Sequence, residues 1–347
     1  MQKIKEIEGS IFNEHHEYCK DYILKEIKNL CSELEKTDVR SSISKKYPED
    51  TIDNIKTDYE IVNSDMIKEL MCLKTNEEML RTEKRYRKKF QSKKGIEDVG
   101  KVFVDTYKDK FSNANINKWG AYKFLNYLGI KVCPYCNENY VYRFLERRES
   151  GIPDITIRAD LDHFFTKEEF PLLSLTLYNL VPSCKICNSS IKGRTNFDVD
   201  KNPINPYFEN MGSYFKFNRI PKNNIDRVNI FLGYSDEFHF DFQMVDEHSQ
   251  KEEQIEYMLK FFGVLERYNM QHKGYIQRQV QREVIYNEVY KEKMNKLLEK
   301  FEVSTDIPNY LSDFSINEQS LGKLMNDCFM EFSDFNDYED NVGKPSN

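Results

Sequence analysis

Along the first third of the chain apolar residues recur at three- and four-residue steps, as in Ile23, Ile27, Leu30 and Leu34. That spacing predicts amphipathic helices, with a break at Pro48. The pattern changes beyond about residue 115. In DITIRADLDHFF, Ile155, Ile157, Ala159 and Leu161 alternate with Thr156, Arg158, Asp160 and Asp162, a period of two that predicts a strand ending at Asp162 and His163. The aromatic and β-branched run NENYVYRF reads as another strand, LYNLVP as a further short one, and CKICNSSIKG as the start of a helix. Nine of the ten prolines lie outside the N-terminal region, so the middle of the chain is expected to be loop-rich. From Gln254 to Phe301 the spacing is again helical, with an interruption near Gly263 or Gly274. The pattern predicts a mostly helical α+β protein in three regions: 1–115 helical, 116–220 mixed, and 221–347 helical with an acidic end carrying Glu331, Asp334, Asp337, Glu339 and Asp340.

Composition narrows the class. Hydrophobic residues at 39% and charged residues at 31% of 347 describe a soluble globular chain. The opening MQKIKEIEGS is charged where a secretory signal needs an apolar run, and no apolar stretch reaches membrane-span length, so the cytoplasm is expected. The net charge of −7 argues against indiscriminate coating of nucleic acid but leaves room for a local basic site. RTEKRYRKKFQSKK, Arg81 to Lys94, has eight basic residues and one acidic, 8 − 1 = +7. It is either a solvated helix face or a phosphate-gripping one through Arg87, Lys88 and Lys89.

Eight cysteines in a reducing compartment are not a disulfide framework. Cys19, Cys31, Cys72 and Cys328 lie in helix-like segments, where a thiol packs as a small hydrophobe. The other four form two pairs, Cys133 with Cys136 in VCPYCNENYVY and Cys184 with Cys187 in VPSCKICNSS. A single Cys-Pro-Tyr-Cys also suits a glutaredoxin-like redox site, which requires a helix beginning at the motif. Two pairs with the same two-residue gap suit a structural zinc site better, with reduced structural thiols as a further alternative.

Within that frame, DHF at Asp162 and His163, NL at Asn179, and CKICN at Asn188 resemble the HNH endonucleases. The resemblance covers roughly Cys133 to Arg194 and implies a zinc-clamped ββα-metal core between helical flanks. It implies His163 as general base, Asp162 and Asn188 as oxygen ligands of a catalytic Mg²⁺ or Mn²⁺, and Asn179 as acceptor of a hydrogen bond from the histidine ring. Arg158, Lys185, Lys192 and Arg194 flank the motif and are expected on the nucleic-acid backbone. The family lysine three residues after the final motif position is replaced by Ile191, with Lys192 one place later. LGIKVCPYCN, NPINPYFEN and LERYNMQHK are similar to longer bacterial HNH proteins of anti-phage defence, such as the nuclease subunit of Septu-type systems, which works with an ATPase. That likeness implies a nucleic-acid substrate, DNA ahead of RNA such as tRNA, and an ATPase or sensor partner. Aromatics at Phe261, Phe262, Tyr268, Tyr275, Tyr286 and Tyr290 can serve either a partner surface or the core. A zinc-dependent binding or scaffold protein without catalysis is the alternative class.

Overall fold

Four helices of the N-terminal region begin where a short polar side chain accepts the backbone N–H three residues on. Thr51, Asn63, Thr75 and Ser92 start Ile52–Glu60, Ser64–Met71, Asn76–Arg87 and Lys93–Asp105 in this way. The computed structural model describes residues 1–113, 117–146, 149, 155–222, 227–285, 288–299 and 318–330. The acidic residues 331–340 and Tyr286 lie outside them. The fold is α+β and mostly helical. The long helix Gly9–Glu33 buries Phe12, Cys19, Ile23 and Ile27 on one stripe and packs against the capped helices Ile52–Glu60, Ser64–Met71 and Lys93–Asp105. Pro48 stands in the break after the helix Thr37–Lys46.

The middle region contains two short antiparallel hairpins rather than one long strand. β1 (Arg143–Glu146) pairs with β2 (Ile155–Arg158), and β3 (Asp160–His163) pairs with β4 (Leu180–Ser183). The single strand expected over Ile155–Asp162 therefore splits at Ala159, which leaves one sheet for the other. A short helix of wide turns, Ile186–Lys192, follows β4 directly. A third hairpin, β5 (Phe215–Pro221) with β6 (Phe238–Met244), was hidden by the helical expectation for 221–347, although FHFDFQM alternates clearly. The division expected at 220 thus falls inside β5.

The helical stretch expected from Gln254 is divided into Glu252–Phe261, Val264–Gln271, Lys273–Ile285 and Glu288–Glu299, with the interruption expected near Gly263 made by Gly263 in the left-handed region at φ 56°. Phe262 and Tyr268 are buried and Phe261 packs on the core. These aromatics fill the interior, whereas Tyr275 remains partly exposed. Buried side chains form one continuous apolar cluster from Met1 to Phe329 that joins all three regions. No helix among the described residues is long and apolar enough to cross a membrane.

Asp58 shows how tightly the N-terminal helices are keyed. It is fully buried and accepts hydrogen bonds from the backbone N–H of Gln91 and Ser92 and from Ser92 Oγ. Gly95 sits against it, and a methyl group there would lie 2.6 Å from Asp58 Cβ. Gly95→Ala is expected to lower stability by about 1–3 kcal/mol through overpacking, despite alanine's better helix propensity. Chemical denaturation of the variant checks this, and a gain in midpoint would contradict it.

Candidate functional site

The sulfur atoms of Cys133, Cys136, Cys184 and Cys187 lie within 4.8 Å of one another, and all four residues are buried. Cys136 and Cys184 sulfurs are 4.0 Å apart. The set could hold a metal ion such as zinc, and its geometry suits tetrahedral thiolate ligation. The backbone N–H of Glu138 points to Cys136 Sγ at 3.5 Å and that of Cys187 to Cys184 Sγ at 3.4 Å. Such N–H···S contacts favour the thiolate form. Cys136 is held well below the ordinary thiol range by its sulfur neighbours, Cys133 first, while burial pushes Cys133 well above it. Four thiols this close cannot all ionise in a dry interior without a cation to compensate them. The loop after Cys133 is a tight turn in which Asn137 takes φ 52°, and no helix starts there. The glutaredoxin-like alternative lacks the helix N-terminus it requires.

Each thiol pair is next to a polar side chain of an adjoining cleft. Tyr135, between the first two cysteines, donates its hydroxyl to Asp162 Oδ2 at 2.8 Å. Cys187 precedes Asn188 on the short helix that also carries Lys192. The β3–β4 register sets Asp162 opposite Val181 and His163 opposite Leu180. The cleft, about 190 Å³, is lined by Tyr107, Ser112, Arg158, Asp160, Asp162, His163, Lys167, Glu168, Asn188 and Lys192 among others. The cleft brings Asp162, His163 and Asn188 together with Arg158.

His163 is buried, with its ring edge-on to Tyr107 at 4.4 Å between centroids. Its Nε2–H donates to Ser174 O at 3.0 Å, an arrangement that leaves the Nδ1 lone pair unprotonated. Burial pushes its pKa down to about 3, with the charge of Lys167 adding to the effect, so the ring is neutral near pH 7.

Two expected roles are corrected. Among the described residues, the Asn179 side chain makes no hydrogen bond to the histidine ring. Its Oδ1 accepts from Phe165 N at 2.7 Å, and its Nδ2 donates to Phe165 O and Leu173 O. It closes the loop whose Ser174 carbonyl holds His163, so its effect on the ring is one step removed. Lys192 is not a backbone-gripping surface residue. It is 1% exposed, and its Nζ donates to Asp162 Oδ1 at 2.9 Å and to the carbonyl of His163. With Tyr135 on its other oxygen, the Asp162 carboxylate is therefore engaged on both sides. Asp160, which the alternating pattern contained but no motif singled out, is the more open carboxylate. Its Oδ2 accepts from Asn188 Nδ2 at 3.0 Å and from Ser189 Oγ at 3.3 Å.

The remaining basic candidates divide. Arg158 is half-buried and donates to Ser112 Oγ at 2.8 Å at the cleft edge. Lys185 and Arg194 are exposed outside the lining. In the basic segment, Arg85 pairs with Glu69, Lys94 with Asp98, and Arg87 with Glu83. Arg87 also donates to Glu169 O at 2.7 Å, a tie to the loop rather than a free phosphate contact. Lys88 and Lys89 are exposed. Glu168 lines the cleft, and Glu169 Oε2 accepts from Asn196 Nδ2 at 3.0 Å.

Removing Lys192 leaves a buried carboxylate uncompensated. Lys192→Ala is expected to destabilise the fold by about 3–5 kcal/mol, read as a lower denaturation midpoint. An unchanged midpoint with weakened nucleic-acid binding would restore the surface role. Cys184→Ser is expected to lose roughly one equivalent of bound zinc, measured by elemental analysis, and to melt lower. Unaltered zinc and melting temperature would remove the thiol cluster from the metal site. Comparisons of the chain with protein-family models, with curated proteins and with solved structures give no match.

Proposed function

We propose that the protein is a metal-dependent endonuclease of the HNH type that hydrolyses nucleic-acid phosphodiesters, DNA foremost. The observation that carries this reading is the meeting of Asp160, Asp162, His163 and Asn188 at one polar cleft on a hairpin followed by a short helix. A binding or scaffold protein has no chemical need to place an imidazole with one unprotonated ring nitrogen in a cleft lined by two aspartates and an asparagine.

His163 is the general base in this reading. With Nε2–H held by Ser174 O, Nδ1 takes a proton from water as the water oxygen bonds to phosphorus. The phosphorus bond to the leaving sugar oxygen breaks, and that oxygen takes a proton from solvent. An anionic phosphate beside the ring would raise its proton affinity against the lowering by burial and by the charge of Lys167. Arg158 and Lys167 line the same cleft and would face a phosphate bound there. Asp160 and Asn188 supply hard oxygen donors for Mg²⁺ or Mn²⁺ once the Asn188 amide turns its oxygen inward. Asp162, tied to Lys192 and Tyr135, completes the wall behind them. A divalent ion bound there would neutralise charge developing on the phosphate and leaving oxygen. Zinc belongs to the four cysteines and has a structural part. Reduced thiols and such a site fit a cytoplasmic protein, and an ATPase or sensor partner fits the need to restrain a nuclease that reads backbone rather than bases.

His163→Ala is expected to lower cleavage of plasmid DNA about 10² to 10⁴-fold in Mg²⁺ or Mn²⁺, with zinc content retained and the protein still folded at the assay temperature despite the lost packing on Tyr107. Total tRNA run in parallel separates the RNA alternative. Residual activity above about a tenth would reject His163 as base. A wild-type protein that cuts neither DNA nor RNA, alone or with a partner recovered from its host, would leave the binding-protein class.

A further inference from the structure

One wall of the cleft comes from the N-terminal region, outside the stretch Cys133 to Arg194 that carries the resemblance. Tyr107 and Ser112 line the cleft, and both lie in Thr106–Ser112, a π-helical turn that prolongs the helix Lys93–Asp105. Such turns are rare and frequently stand at functional sites. In an α-helix, residues five apart point about 140° away from each other, since each step turns about 100°. Bonds from residue i to i+5 bring residues five apart onto one face instead. Asn113 N donates to Lys108 O at 3.2 Å, closing a turn of that kind. The wider turn is what brings Tyr107 and Ser112 to the cleft together.

Each of the two touches a residue of the proposed chemistry. The Tyr107 ring stands edge-on to His163, with 4.4 Å between centroids and 71° between planes. Its hydroxyl donates to Leu161 O at 3.4 Å, a long contact beside Ser112 and Arg158. Ser112 accepts from Arg158 at both of its oxygens, Oγ at 2.8 Å and the carbonyl at 3.2 Å. The turn itself is anchored from behind. Phe111 is fully buried, edge-on to His15 at 4.9 Å and tilted against Trp119 and Phe124. His15 in turn holds Leu175 O, next to the Ser174 carbonyl that binds His163. The imidazole and its acceptor therefore rest on the same support.

We infer that Tyr107 and Ser112 are positioning residues of the nuclease site: Tyr107 fixes the plane of the His163 imidazole, and Ser112 holds the Arg158 guanidinium toward the phosphate. The hydrogen bond from Nε2 to Ser174 O fixes one atom of the ring, about which the plane can still swing. The aromatic edge of Tyr107 takes up the space into which it would swing. That requirement belongs to the ring, not to the hydroxyl. Arg158 is long and rich in rotamers, and two acceptors on one residue leave its planar fork a single direction. A misplacement of about 1 Å at a reacting group can cost about 10²-fold in rate. The two roles rest on the nuclease reading, whereas the immobilisation of the His163 ring does not.

The test compares Tyr107→Phe, Tyr107→Leu and Ser112→Ala with wild type as full-length, zinc-loaded proteins. Initial rates over a range of plasmid concentration in Mg²⁺ or Mn²⁺, or of total tRNA if wild type cuts only that, give kcat and KM. Tyr107→Phe keeps the edge and is expected to stay within about 3-fold of wild-type kcat, whereas Tyr107→Leu is expected to lose about 10- to 100-fold in kcat with KM within about 2-fold. Ser112→Ala is expected to raise KM about 3- to 10-fold with kcat within about 3-fold. In parallel, NMR of ¹⁵N-histidine protein reads the Nε2–H of His163, identified by its loss in His163→Ala. That signal is expected in wild type and Tyr107→Phe and broadened by solvent exchange in Tyr107→Leu. Tyr107→Met takes the place of Tyr107→Leu if the latter is unfolded at the assay temperature. Wild-type kcat in folded Tyr107→Leu, even with a lower melting temperature, would reduce Tyr107 to packing and overturn the inference. Equal losses in Tyr107→Phe and Tyr107→Leu would also overturn it, by assigning the effect to the hydroxyl. An unchanged KM in Ser112→Ala would overturn the Ser112 assignment. If wild type cuts neither DNA nor RNA, the nuclease reading fails and the NMR signal alone decides: sharp in Tyr107→Leu it overturns the positioning of the ring, broadened it upholds it.

Discussion

Four buried cysteine sulfurs within 4.8 Å of one another impose the constraint from which the rest of the site follows. Uncompensated, that much potential negative charge has no place in an apolar interior, and a metal ion, which the set could hold, would make it a crosslink between distant segments. One pair lies in the 133–137 turn and the other spans the end of β4 and the short helix after it. Tyr135 leaves the first pair to hold Asp162, and Asn188 and Lys192 leave the second to meet Asp160 and Asp162. The cluster also organises the far side. Leu321 N donates to Asn137 O and Lys323 N to Asn137 Oδ1, so the helical segment 322–330 closes over the knuckle. Lys323 then pairs with Asp327, whose carboxylate accepts from Phe217 N and so ties β5 to the same segment.

The N-terminal helices have a definite task in this arrangement, which is to brace the loop that aims His163. His15 is fully buried, donates Nε2–H to Leu175 O at 2.8 Å and accepts from Trp119 Nε1 at 3.0 Å. Burial lowers its pKa to about 4, keeping it neutral and able to do both. Thr176 Oγ1 donates to Leu70 O at 2.6 Å, and the bend at Pro171 packs against Gly100, where even a methyl would lie 2.8 Å from the proline ring. With Asn179 pinned to Phe165 and Leu173, the Ser174 carbonyl is fixed from several directions. The tautomer of His163 is thus set by a carbonyl held in place by two regions of the chain, not by a single side chain.

Charge within the cleft is settled by burial more than by count. Lys192 and Asp162 form a pair at 2.9 Å with side chains 1% and 3% exposed, a contact that costs desolvation and is retained only with the extra hydrogen bonds from Tyr135 and to the His163 carbonyl. Asp160, Arg158 and Lys167 are left as the groups that solvent and a ligand can reach. The basic stretch from Arg81 to Lys94 is partly spent on internal pairs with Glu69, Glu83 and Asp98, so its net charge overstates what it offers to a phosphate.

The pairing of the four cysteines was legible in the sequence because equal two-residue gaps are a local signal, and helices were legible because burial of one face repeats every 3.6 residues. Asp162, His163 and Asn188 were brought out as a set by the resemblance to HNH endonucleases, which rests on short local words of the sequence. It could not rank Asp160 above Asp162 as the open carboxylate, since both share one face of an alternating strand, and the difference comes from Lys192 thirty residues on. Nor could it tell that Ile155–His163 is two strands in two sheets, that Asn179 binds backbone rather than imidazole, or that β5 and β6 pair across the chain between them. Those outcomes depend on which remote partner satisfies each buried polar group. Spacing along a chain carries its periodicity, whereas hydrogen-bond partners, and with them the roles of Lys192, His15 and Tyr135, are chosen only when the segments meet.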